Sequence, residues 1–399
     1  MSLTTERSVP SEPRTADELL VPADSEVTPR LSIVMPTLNE EEGITTCMEW
    51  ARSAIVDLGV PAEIVISDSS TDRTPDIARE MGAIVLEPVG VGYGYAYRYA
   101  FERARGEYIA MGDADCTYDF EQIPRLLRHL IETDADMVMG SRLNGEIKPG
   151  SMPALHQYVG NPLLTRFLNA FYDAGVSDAH SGFRVFTREA YETMALKTDG
   201  MEFASEMIME AGANDLVIEE VPIVYHERKG EETLESFRDG WRHVRFMLVN
   251  APGYLFSVPG ALLVMVGLLV MVGAYSGVSP GGATLGVHSM IAASLLVIVG
   301  YQVGSFGVFA TVASDPIRRP NDPVTNWLVS HLTLERGAIV GVSLFALGGA
   351  YATYLVFHWV TNGFINLPFT MASMVAFTGI IIGVQTVFGS FFMSAIAGE

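Results

Sequence analysis

The stretch that decides the fold is residues 108–120, which read Tyr-Ile-Ala-Met-Gly-Asp-Ala-Asp-Cys-Thr-Tyr-Asp-Phe. Its first four residues form an apolar run that is typical of a buried strand. Two carboxylates follow, Asp113 and Asp115, and alternate positions of extended backbone point to the same side. Carboxylate oxygens suit Mg²⁺ or Mn²⁺, and open α/β sheets bind ligands at the carboxyl ends of their strands. The stretch therefore indicates either a metal site at a sheet edge or an acidic turn after a strand.

Short apolar runs recur along the first 230 residues and alternate with segments that suit helices. They predict strands at 31–36, 62–67, 83–87, 108–111, 136–140 and 217–225, and a further strand entered through 177–186. Strands that alternate with helices are typical of a mostly parallel α/β sheet. Polar clusters follow several of these runs, as a nucleotide site would require, at residues 36–40, 68–74 and 141–142.

A glycine-rich loop at residues 90–94 follows the third predicted strand. Its G-x-G-x-G spacing differs from the dinucleotide fingerprint, and that fingerprint follows the first strand of a sheet. A nicotinamide cofactor is therefore disfavoured. Two interpretations stay open, namely a loop whose backbone approaches a sugar nucleotide and a plain tight turn.

The charged residues divide the chain into two parts. All but four of the 47 acidic residues and all but three of the 25 basic residues precede Ala251, so the first part carries almost the whole net charge of −22. A part this acidic is not expected to bind nucleic acid. Only three of its basic residues are lysines, which suggests a salt-loving source such as a halophilic archaeon. The alternative is a surface that avoids nucleic acid and anionic lipid.

Residues 1–30 are polar and lack an apolar segment, so we expect a disordered tail without a signal peptide. The two cysteines, Cys47 and Cys116, are expected to be free thiols in the cytoplasm. Residues 234–250 place Phe237, Trp241, Val244 and Leu248 on one stripe. That pattern predicts a helix lying on the membrane interface, with an ordinary core helix as the alternative.

Four apolar segments, at 254–275, 287–313, 337–360 and 367–396, are each long enough to span a bilayer. Their apolar stretches contain no charged residue, which argues against an ion pathway or a transporter. Arg318, Arg319 and Arg336 lie between the second and third segments, and the positive-inside rule puts that loop in the cytoplasm. With four spans, the first part of the chain and the C-terminus are then cytoplasmic. We therefore predict a tail (1–30), a soluble domain (31–233), an interfacial helix (234–250) and a membrane domain (254–399).

Six motifs occur in a fixed order: Pro36-Thr-Leu-Asn-Glu40, Asp68-Ser-Ser-Thr-Asp-Arg-Thr74, Gly112-Asp-Ala-Asp115, Gly140-Ser-Arg142, Ser181-Gly-Phe-Arg184 and Glu220-Val-Pro-Ile-Val-Tyr-His-Glu-Arg228. With them the chain resembles the family 2 glycosyltransferases of the GT-A fold, and among these the polyprenyl-phosphate or dolichyl-phosphate hexose synthases. The resemblance implies a GT-A domain followed by an all-α domain of four transmembrane helices. It also implies inverting transfer of a hexose from UDP-glucose or GDP-mannose to a polyprenyl phosphate.

On the donor side, the resemblance assigns the base and ribose of the nucleotide sugar to residues after the first two strands, namely Pro36, Asn39, Glu40 and Asp68. Asp113 would contact the ribose or the metal, and Asp115 would hold Mg²⁺ or Mn²⁺ on the diphosphate. Related mannose synthases often place a glutamine where this chain has Thr117. The third metal ligand is therefore open among water, Thr117 and Asp119.

On the acceptor side, the resemblance implies that Arg142 and Arg184 face the phosphate of the lipid and that Arg228 bridges donor and acceptor. A second acceptor arginine has no clean match, and His156 is the nearest candidate. A lipid phosphate is already an anion and attacks without a strong general base, so the protein must mainly gather two anions with arginines and a metal. Asp115, Arg142 and Arg228 are the predicted catalytic residues.

One alternative to this function is discounted and two stay open. Processive polysaccharide synthases share the fold, but they carry Gln-x-x-Arg-Trp where this chain has Asp239-Gly-Trp-Arg242. A non-catalytic scaffold or a flippase-associated protein would keep the domains and lose the site, whereas Asp113 and Asp115 are both present. A different lipid acceptor would leave the donor site unchanged. For the predicted enzyme, we expect the four spans to serve as a membrane anchor and as contacts in a homo-oligomer.

Overall fold

The computed structural model describes residues 15–230, 236–279, 281, 284–313, 323–331, 333–365 and 370–397. The chain divides into two compact units, Met1–Met247 and Leu248–Glu399. The first unit contains the sheet and the candidate site, and the second contains the long apolar helices.

The first unit is built on a seven-stranded sheet with the order β3-β2-β1-β4-β6-β5-β7. The strands are β1 Leu31–Thr37, β2 Ala62–Asp68, β3 Ile84–Leu86, β4 Tyr108–Met111, β5 Met137–Ile147, β6 Arg184–Thr187 and β7 Ile218–Tyr225. β6 pairs antiparallel with both of its neighbours, and the remaining pairs are parallel. The predicted strands and the mostly parallel α/β sheet are therefore confirmed. The carboxyl ends of β1, β2 and β4 lie at one edge of the sheet.

Helices cover both faces of the sheet because their apolar residues recur with helical spacing. The helices described in this unit are α1 Ala16–Leu19, α2 Ile44–Leu58, α3 Thr74–Glu80, α4 Tyr93–Phe101, α5 Ile123–Thr133, α6 Asn161–Tyr172, α7 Arg188–Met194, α8 Phe203–Ala213 and α9 Ser236–Val249. A π turn, His156–Gly160, leads into α6. On α2, Cys47 and Met48 are fully buried; Cys47 Sγ lies 3.6 Å from the Sγ of Cys116, and both thiols are free as predicted.

The prediction of a disordered tail is wrong for residues 15–30, whereas residues 1–14 lie outside the described part of the chain. Leu19 is 2% exposed, and the Val21 N–H donates to the carbonyl oxygen of Ala62 at 2.8 Å. Arg105 donates to the carbonyl oxygen of Pro22 at 2.9 Å and to the buried Glu63. A short apolar cluster and one arginine thus fix a segment whose overall composition is typical of disorder.

The glycine loop approaches another part of its own backbone. Gly92 adopts φ 133°, and the Gly94 N–H donates to the carbonyl oxygen of Asp199 at 2.9 Å. A Cβ at Gly94 would lie 2.3 Å from the carbonyl oxygen of Thr198. The glycines therefore allow close contact with residues 198–200, and they hold the start of α4 in place.

Replacing Gly94 with alanine is expected to destabilise the first unit by about 1–3 kcal/mol, because the methyl group overlaps a backbone oxygen that cannot rotate away. Thermal unfolding of the full chain in detergent, followed by near-UV circular dichroism, measures the change. Gly175→Ala is the control for replacing a glycine without steric overlap, because a Cβ at that position meets nothing within 4 Å. Its positive φ of 66° alone carries a smaller cost. An equal loss in both variants would contradict the overlap.

The second unit contains α10 Val258–Tyr275, α11 Val287–Ala313, α12 Pro323–His331, α13 Leu334–Thr361 and α14 Thr370–Ala397. Within the described residues, four helical segments are long and apolar enough to cross a membrane, as predicted. They are Gly253–Tyr275, Val287–Ala313, Leu334–Thr361 and Thr370–Ala397. Small residues bring them together, since a Cβ at Gly260 would lie 2.5 Å from Gly304 N, and one at Gly341 would lie 2.8 Å from Gly383 O. Arg318 and Arg319, which carry part of the orientation prediction, lie outside the described residues.

Candidate active site

Hydrogen bonds join the loops after β1 and β2 at the carboxyl edge of the sheet. The Thr37 hydroxyl donates to Oδ1 of Asp68 at 2.7 Å, and Oδ1 of Asn39 accepts from the Thr71 N–H at 2.8 Å. Asn39 adopts φ 59°, a conformation that asparagine tolerates better than most residues do. Pro36 lies in β1, opposite Ser67 in the parallel register. The structure therefore brings together all four residues predicted to hold the base and ribose, including Glu40, which comes next in the chain.

Asp113 lies two residues after the end of β4, and two side chains of helix α4 hydrogen-bond to it. Its Oδ1 accepts hydrogen bonds from the Tyr93 hydroxyl at 2.9 Å and from the Tyr97 hydroxyl at 3.2 Å. Burial raises the pKa of Asp113 to about 6, and the charge of Asp115 adds to that rise. Both tyrosines bind the same carboxylate oxygen, and the role of Asp113 as a metal or ribose contact stays a prediction.

Asp115 is 7% exposed and is oriented by Thr117, whose N–H donates to Oδ1 of Asp115 at 3.0 Å and whose hydroxyl donates to the same atom. The backbone of this loop is paired with the chain that follows β7. The Lys229 N–H donates to the carbonyl oxygen of Asp115 at 2.9 Å, and the His226 N–H donates to that of Thr117 at 2.9 Å. Thr117 thus positions Asp115, and its role as a direct metal ligand stays a prediction.

Arg228 lies between two acidic side chains. Its Nη2 donates to Oε1 of Glu40 at 3.2 Å, and its Nε lies 3.6 Å from Oδ2 of Asp115. The Nε is buried, and within the described residues it makes no hydrogen bond. Burial raises the pKa of Glu40 to about 7; the Asp115 charge adds to the rise and Arg228 opposes it. An arginine that joins the loop after β1 to the loop after β4 is therefore available to an anionic ligand.

The described residues contain no ready-made cluster of three His, Cys, Asp or Glu side chains that could hold a metal ion. The pair Asp113 and Asp115 nevertheless fits Mg²⁺ or Mn²⁺ chemically, since both present hard oxygen ligands. Burial is the main cause of the raised pKa of Asp113 and the charge of Asp115 is the second, and a divalent cation would offset the repulsion between the two carboxylates. The remaining ligands would come from phosphate oxygens and water, as is usual for Mg²⁺.

Arg142 is not a free surface cation. Its Nε and Nη2 donate to the two carboxylate oxygens of Asp178, each at 2.8 Å, and its backbone N–H donates to Oδ2 at 3.0 Å. Burial would raise the pKa of Asp178, but the Arg142 guanidinium holds it below its usual value. Arg142 also lines a cavity of about 280 Å³ with Leu143, Gly145, Ile147, Gln157, Tyr158 and Pro162. Two nitrogens of the guanidinium are therefore bound to Asp178, and the contact of Arg142 with an acceptor phosphate stays a prediction.

Arg184 is held by backbone oxygens, and its Nη1 is buried without a hydrogen bond in the described residues, so its contact with an acceptor phosphate stays a prediction. Its side chain is 0% exposed and donates to the carbonyl oxygens of Ser181, Ala179 and Ala204 at 2.9–3.1 Å. Burial lowers the pKa of Arg184 to about 10. The guanidinium thereby joins the loop before β6 to α8. It supplies hydrogen-bond donors to three buried backbone oxygens that water does not reach.

His156 begins the π turn before α6, where its N–H donates to the carbonyl oxygen of Pro153 at 2.9 Å. Its neighbours Gln157 and Tyr158 line the Arg142 cavity, and His156 does not. The structure therefore places the predicted segment beside Arg142 but brings different side chains into that cavity.

The sequence analysis missed four residues that support the site, namely Tyr93, Tyr97, Asp178 and Glu220. The spacing i, i+4 of the two tyrosines after the glycine loop was a usable signal for one helix face. Glu220 accepts from the N–H groups of Ser177 and Asp178, at 2.8 and 3.1 Å, and so holds the Arg142 partner in place. No sequence pattern pairs Arg142 with an aspartate 36 residues later.

Comparisons with known proteins agree with this architecture. A model of glycosyl transferase family 2 matches residues 32–194, and a model of the family 2 C-terminal transmembrane region matches residues 308–397. The chain is 60% identical over 380 residues to the low-salt glycan biosynthesis hexosyltransferase Agl6 of Haloferax volcanii, covering 95% of this chain and 92% of that protein.

Two further proteins of Haloferax volcanii are similar over shorter ranges. Glycosyltransferase AglJ is 32% identical over 288 residues, which cover 70% of this chain and 91% of that protein. The dolichyl-phosphate hexose transferase is 34% identical over 212 residues, which cover 53% of this chain and 89% of that protein. With the GT-A sheet, the carboxylates after β4 and the four apolar helices, these matches show that the chain is a glycosyltransferase and belongs to glycosyl transferase family 2.

Proposed function

We propose that the protein transfers a hexose from a nucleotide sugar, UDP-glucose or GDP-mannose, to a polyprenyl (dolichyl) phosphate at the cytoplasmic face of the cell membrane. The reaction inverts the anomeric configuration and depends on Mg²⁺ or Mn²⁺. Its product would supply a lipid-linked sugar for glycan assembly, such as protein N-glycosylation. The names of the relatives support this proposal, since one is a hexosyltransferase of glycan biosynthesis and another a dolichyl-phosphate hexose transferase.

The observation that carries the proposal is the position of Arg228 between Asp115 and Glu40, with a buried Nε that has no hydrogen-bond partner in the described chain. An arginine beside a carboxylate pair suits a ligand in which a metal and phosphate oxygens meet. A nucleoside diphosphate held by a divalent cation is such a ligand.

In this mechanism the chain's residues bind and orient two anions. Asp113 and Asp115 would hold the metal, which supplies positive charge to the leaving diphosphate when it is bound. Arg228 donates to the donor diphosphate and the acceptor phosphate, and Arg142 Nη1 donates to the acceptor. An acceptor phosphate oxygen forms the new bond to the anomeric carbon while the bond to the nucleoside diphosphate breaks on the opposite side. No side chain has to remove a proton, because the attacking oxygen is already anionic.

The α9 helix supports the predicted contact with the membrane interface. Met247 is 0% exposed, and Nδ1 of His243 lies 2.9 Å from the Ser205 hydroxyl, so this face of α9 packs on the first unit. Trp241 is 60% exposed and lies on a different face of the helix. A helix packed on one side with an exposed tryptophan on another suits the interface.

The test uses membranes that contain the full-length protein, dolichyl phosphate and labelled UDP-glucose or GDP-mannose in high salt. Label is expected to enter the lipid fraction from one of the two donors, to vanish with EDTA and to return with Mn²⁺ or Mg²⁺. Transfer that persists in EDTA would contradict the metal dependence. Folded protein that binds no nucleotide sugar would favour the scaffold, whereas binding without transfer would favour another acceptor.

Removing residues 254–399 is expected to leave nucleotide-sugar binding within about twofold and to lower transfer to a membrane-embedded acceptor at least tenfold. The donor residues all lie in the first unit, while the spans hold that unit at the bilayer. Isothermal titration with the nucleotide sugar and the membrane transfer assay measure the two effects. Equal transfer by the truncated protein would refute the anchoring role.

A further inference from the structure

A helical segment of the first unit exposes large apolar side chains on one face. The segment covers residues 154–172 and runs through the π turn His156–Gly160 into α6. Its inner face buries Thr165, Leu168 and Tyr172. Its outer face carries four large apolar residues that are each more than half exposed: Leu155, Tyr158, Val159 and Leu163. Single exposed apolar residues are common, but a contiguous group on one helix face marks a contact surface.

The charge of this segment differs from that of the rest of the first unit. No Asp or Glu occurs between residues 151 and 172, although the part of the chain before Ala251 holds all but four of the 47 acidic residues. The segment instead carries Arg166, which is exposed and lies one turn beyond Leu163. An apolar face with a basic residue and without carboxylates has the composition of a helix that lies on a lipid surface.

The same segment forms a wall of the Arg142 cavity. Gln157, Tyr158 and Pro162 face Arg142 across a space of about 280 Å³. Tyr158 belongs to both surfaces, so the exposed apolar face extends to the rim of the cavity that Arg142 lines. This combination matches the two chemistries of a lipid surface, phosphate headgroups and hydrocarbon chains.

The chain itself brings a bilayer within reach of the first unit. Helix α9 ends at Val249 and the first apolar span begins at Gly253, so only residues 250–252 separate them. A protein partner would have to compete with a lipid surface that is always present at high local concentration. This tether and the absence of acidic residues favour lipid over protein as the occupant of the exposed face.

We propose that residues 154–166 lie in the bilayer interface, with Leu155, Tyr158, Val159 and Leu163 among the hydrocarbon chains and Arg166 at the headgroups. The Arg142 cavity would then open at the depth of lipid phosphates. This last clause rests on the proposed function, because it makes the cavity the entry of the acceptor phosphate. The membrane contact itself does not depend on which reaction the protein performs.

The contact is tested with nitroxide spin labels on the full-length protein in lipid nanodiscs. Single cysteines replace Leu155 and Val159, and Ile131→Cys is the matched control, since Ile131 is a 47% exposed apolar residue of α5 that belongs to no such group. The native Cys47 and Cys116 are buried, and wild-type protein treated with the label measures any background from them. Power saturation then compares collisions with oxygen, which enters the bilayer, and with a water-soluble nickel chelate.

We expect the labels at 155 and 159 to collide more with oxygen than with the nickel chelate, and the label at 131 to show the opposite. Equal exposure to the chelate at all three positions would overturn the proposal. Labels at 155 and 159 that are shielded from both reagents would also overturn it, because they would show a protein contact such as a second copy of this chain. None of these outcomes depends on transferase activity.

The entry of the acceptor phosphate through the Arg142 cavity has a separate test. The variant Leu155→Ser/Val159→Ser/Leu163→Ser changes only exposed residues that do not line the cavity. Its KM for polyprenyl phosphate in nanodiscs is expected to rise at least fivefold, with unchanged affinity for the nucleotide sugar, while Ile131→Ser changes neither. An unchanged KM together with bilayer-exposed labels would refute entry of the acceptor through the Arg142 cavity. Absence of transfer in the wild type as well would instead refute the proposed function.

Discussion

Asp115→Asn is expected to lower hexose transfer at least a hundredfold and to leave the fold intact. Asparagine keeps an oxygen that accepts from the Thr117 N–H and hydroxyl, so the loop after β4 stays in place. It loses the charge that a divalent cation requires beside Asp113, and it loses the ion pair with Arg228, which lies 3.6 Å away. Losing one preorganised electrostatic contact in a transfer site typically costs a factor of about 10²–10³ in rate.

The control for this change is Asp134→Asn, at the end of α5. Asp134 is exposed and adopts φ 54°, which asparagine accepts, and it lies before β5, away from the carboxyl edge of the sheet. Transfer is measured with saturating donor, and Mn²⁺ affinity by titration calorimetry in the presence of the nucleoside diphosphate. Wild-type transfer by the Asp115→Asn variant would refute both the metal site and the role of Arg228 beside it. A loss of transfer with normal Mn²⁺ affinity would refute the metal site alone.

The strands could be predicted from the sequence because each is a short apolar run closed by polar residues, and Tyr108–Met111 followed by Asp113 and Asp115 is the clearest case. The polar clusters at the edge of the sheet could be predicted from the same rule, since parallel strands bring their carboxyl ends to one edge. The donor roles of single residues in those clusters came from the family resemblance and stay predictions. The roles of the arginines could not be predicted in this way. Arg184 begins β6 and Arg228 lies just after β7, yet Arg184 is surrounded by backbone carbonyls and Arg228 lies between acidic side chains.

The difference between these arginines depends on long-range contacts, which local patterns do not contain. Asp178 and Glu220 show this, because together they fix Arg142 through a chain of hydrogen bonds between β5, the loop before β6 and β7. The folded structure of residues 15–30 was not predicted for the same reason, since Arg105, which lies far along the chain, holds this segment by hydrogen bonds. Sequence patterns thus locate the site, and tertiary contacts decide which charges in it are already neutralised.

Asp178→Ala is expected to destabilise the first unit by about 3–5 kcal/mol, because it leaves the Arg142 guanidinium buried without its counter-ion. The side chains of the two residues are 8% and 0% exposed, so water replaces only a small part of the lost interaction. The nearby Tyr225 ring, 5.3 Å from the guanidinium carbon, offers only a cation–π contact. Thermal unfolding of the full chain in detergent should show a fall of about 10 °C in the midpoint of the first unit.

The double variant Arg142→Met/Asp178→Ala separates this explanation from simple loss of packing. It removes the buried charge together with its partner, so it is expected to recover a large part of the stability that Asp178→Ala alone loses. Transfer is not recovered, since Arg142 is the proposed contact to the acceptor phosphate. Equal instability of the single and double variants would show that Asp178 acts through packing and not as the counter-ion of Arg142. Recovery of transfer along with stability would remove Arg142 from the mechanism and leave Arg228 as the arginine that joins donor and acceptor.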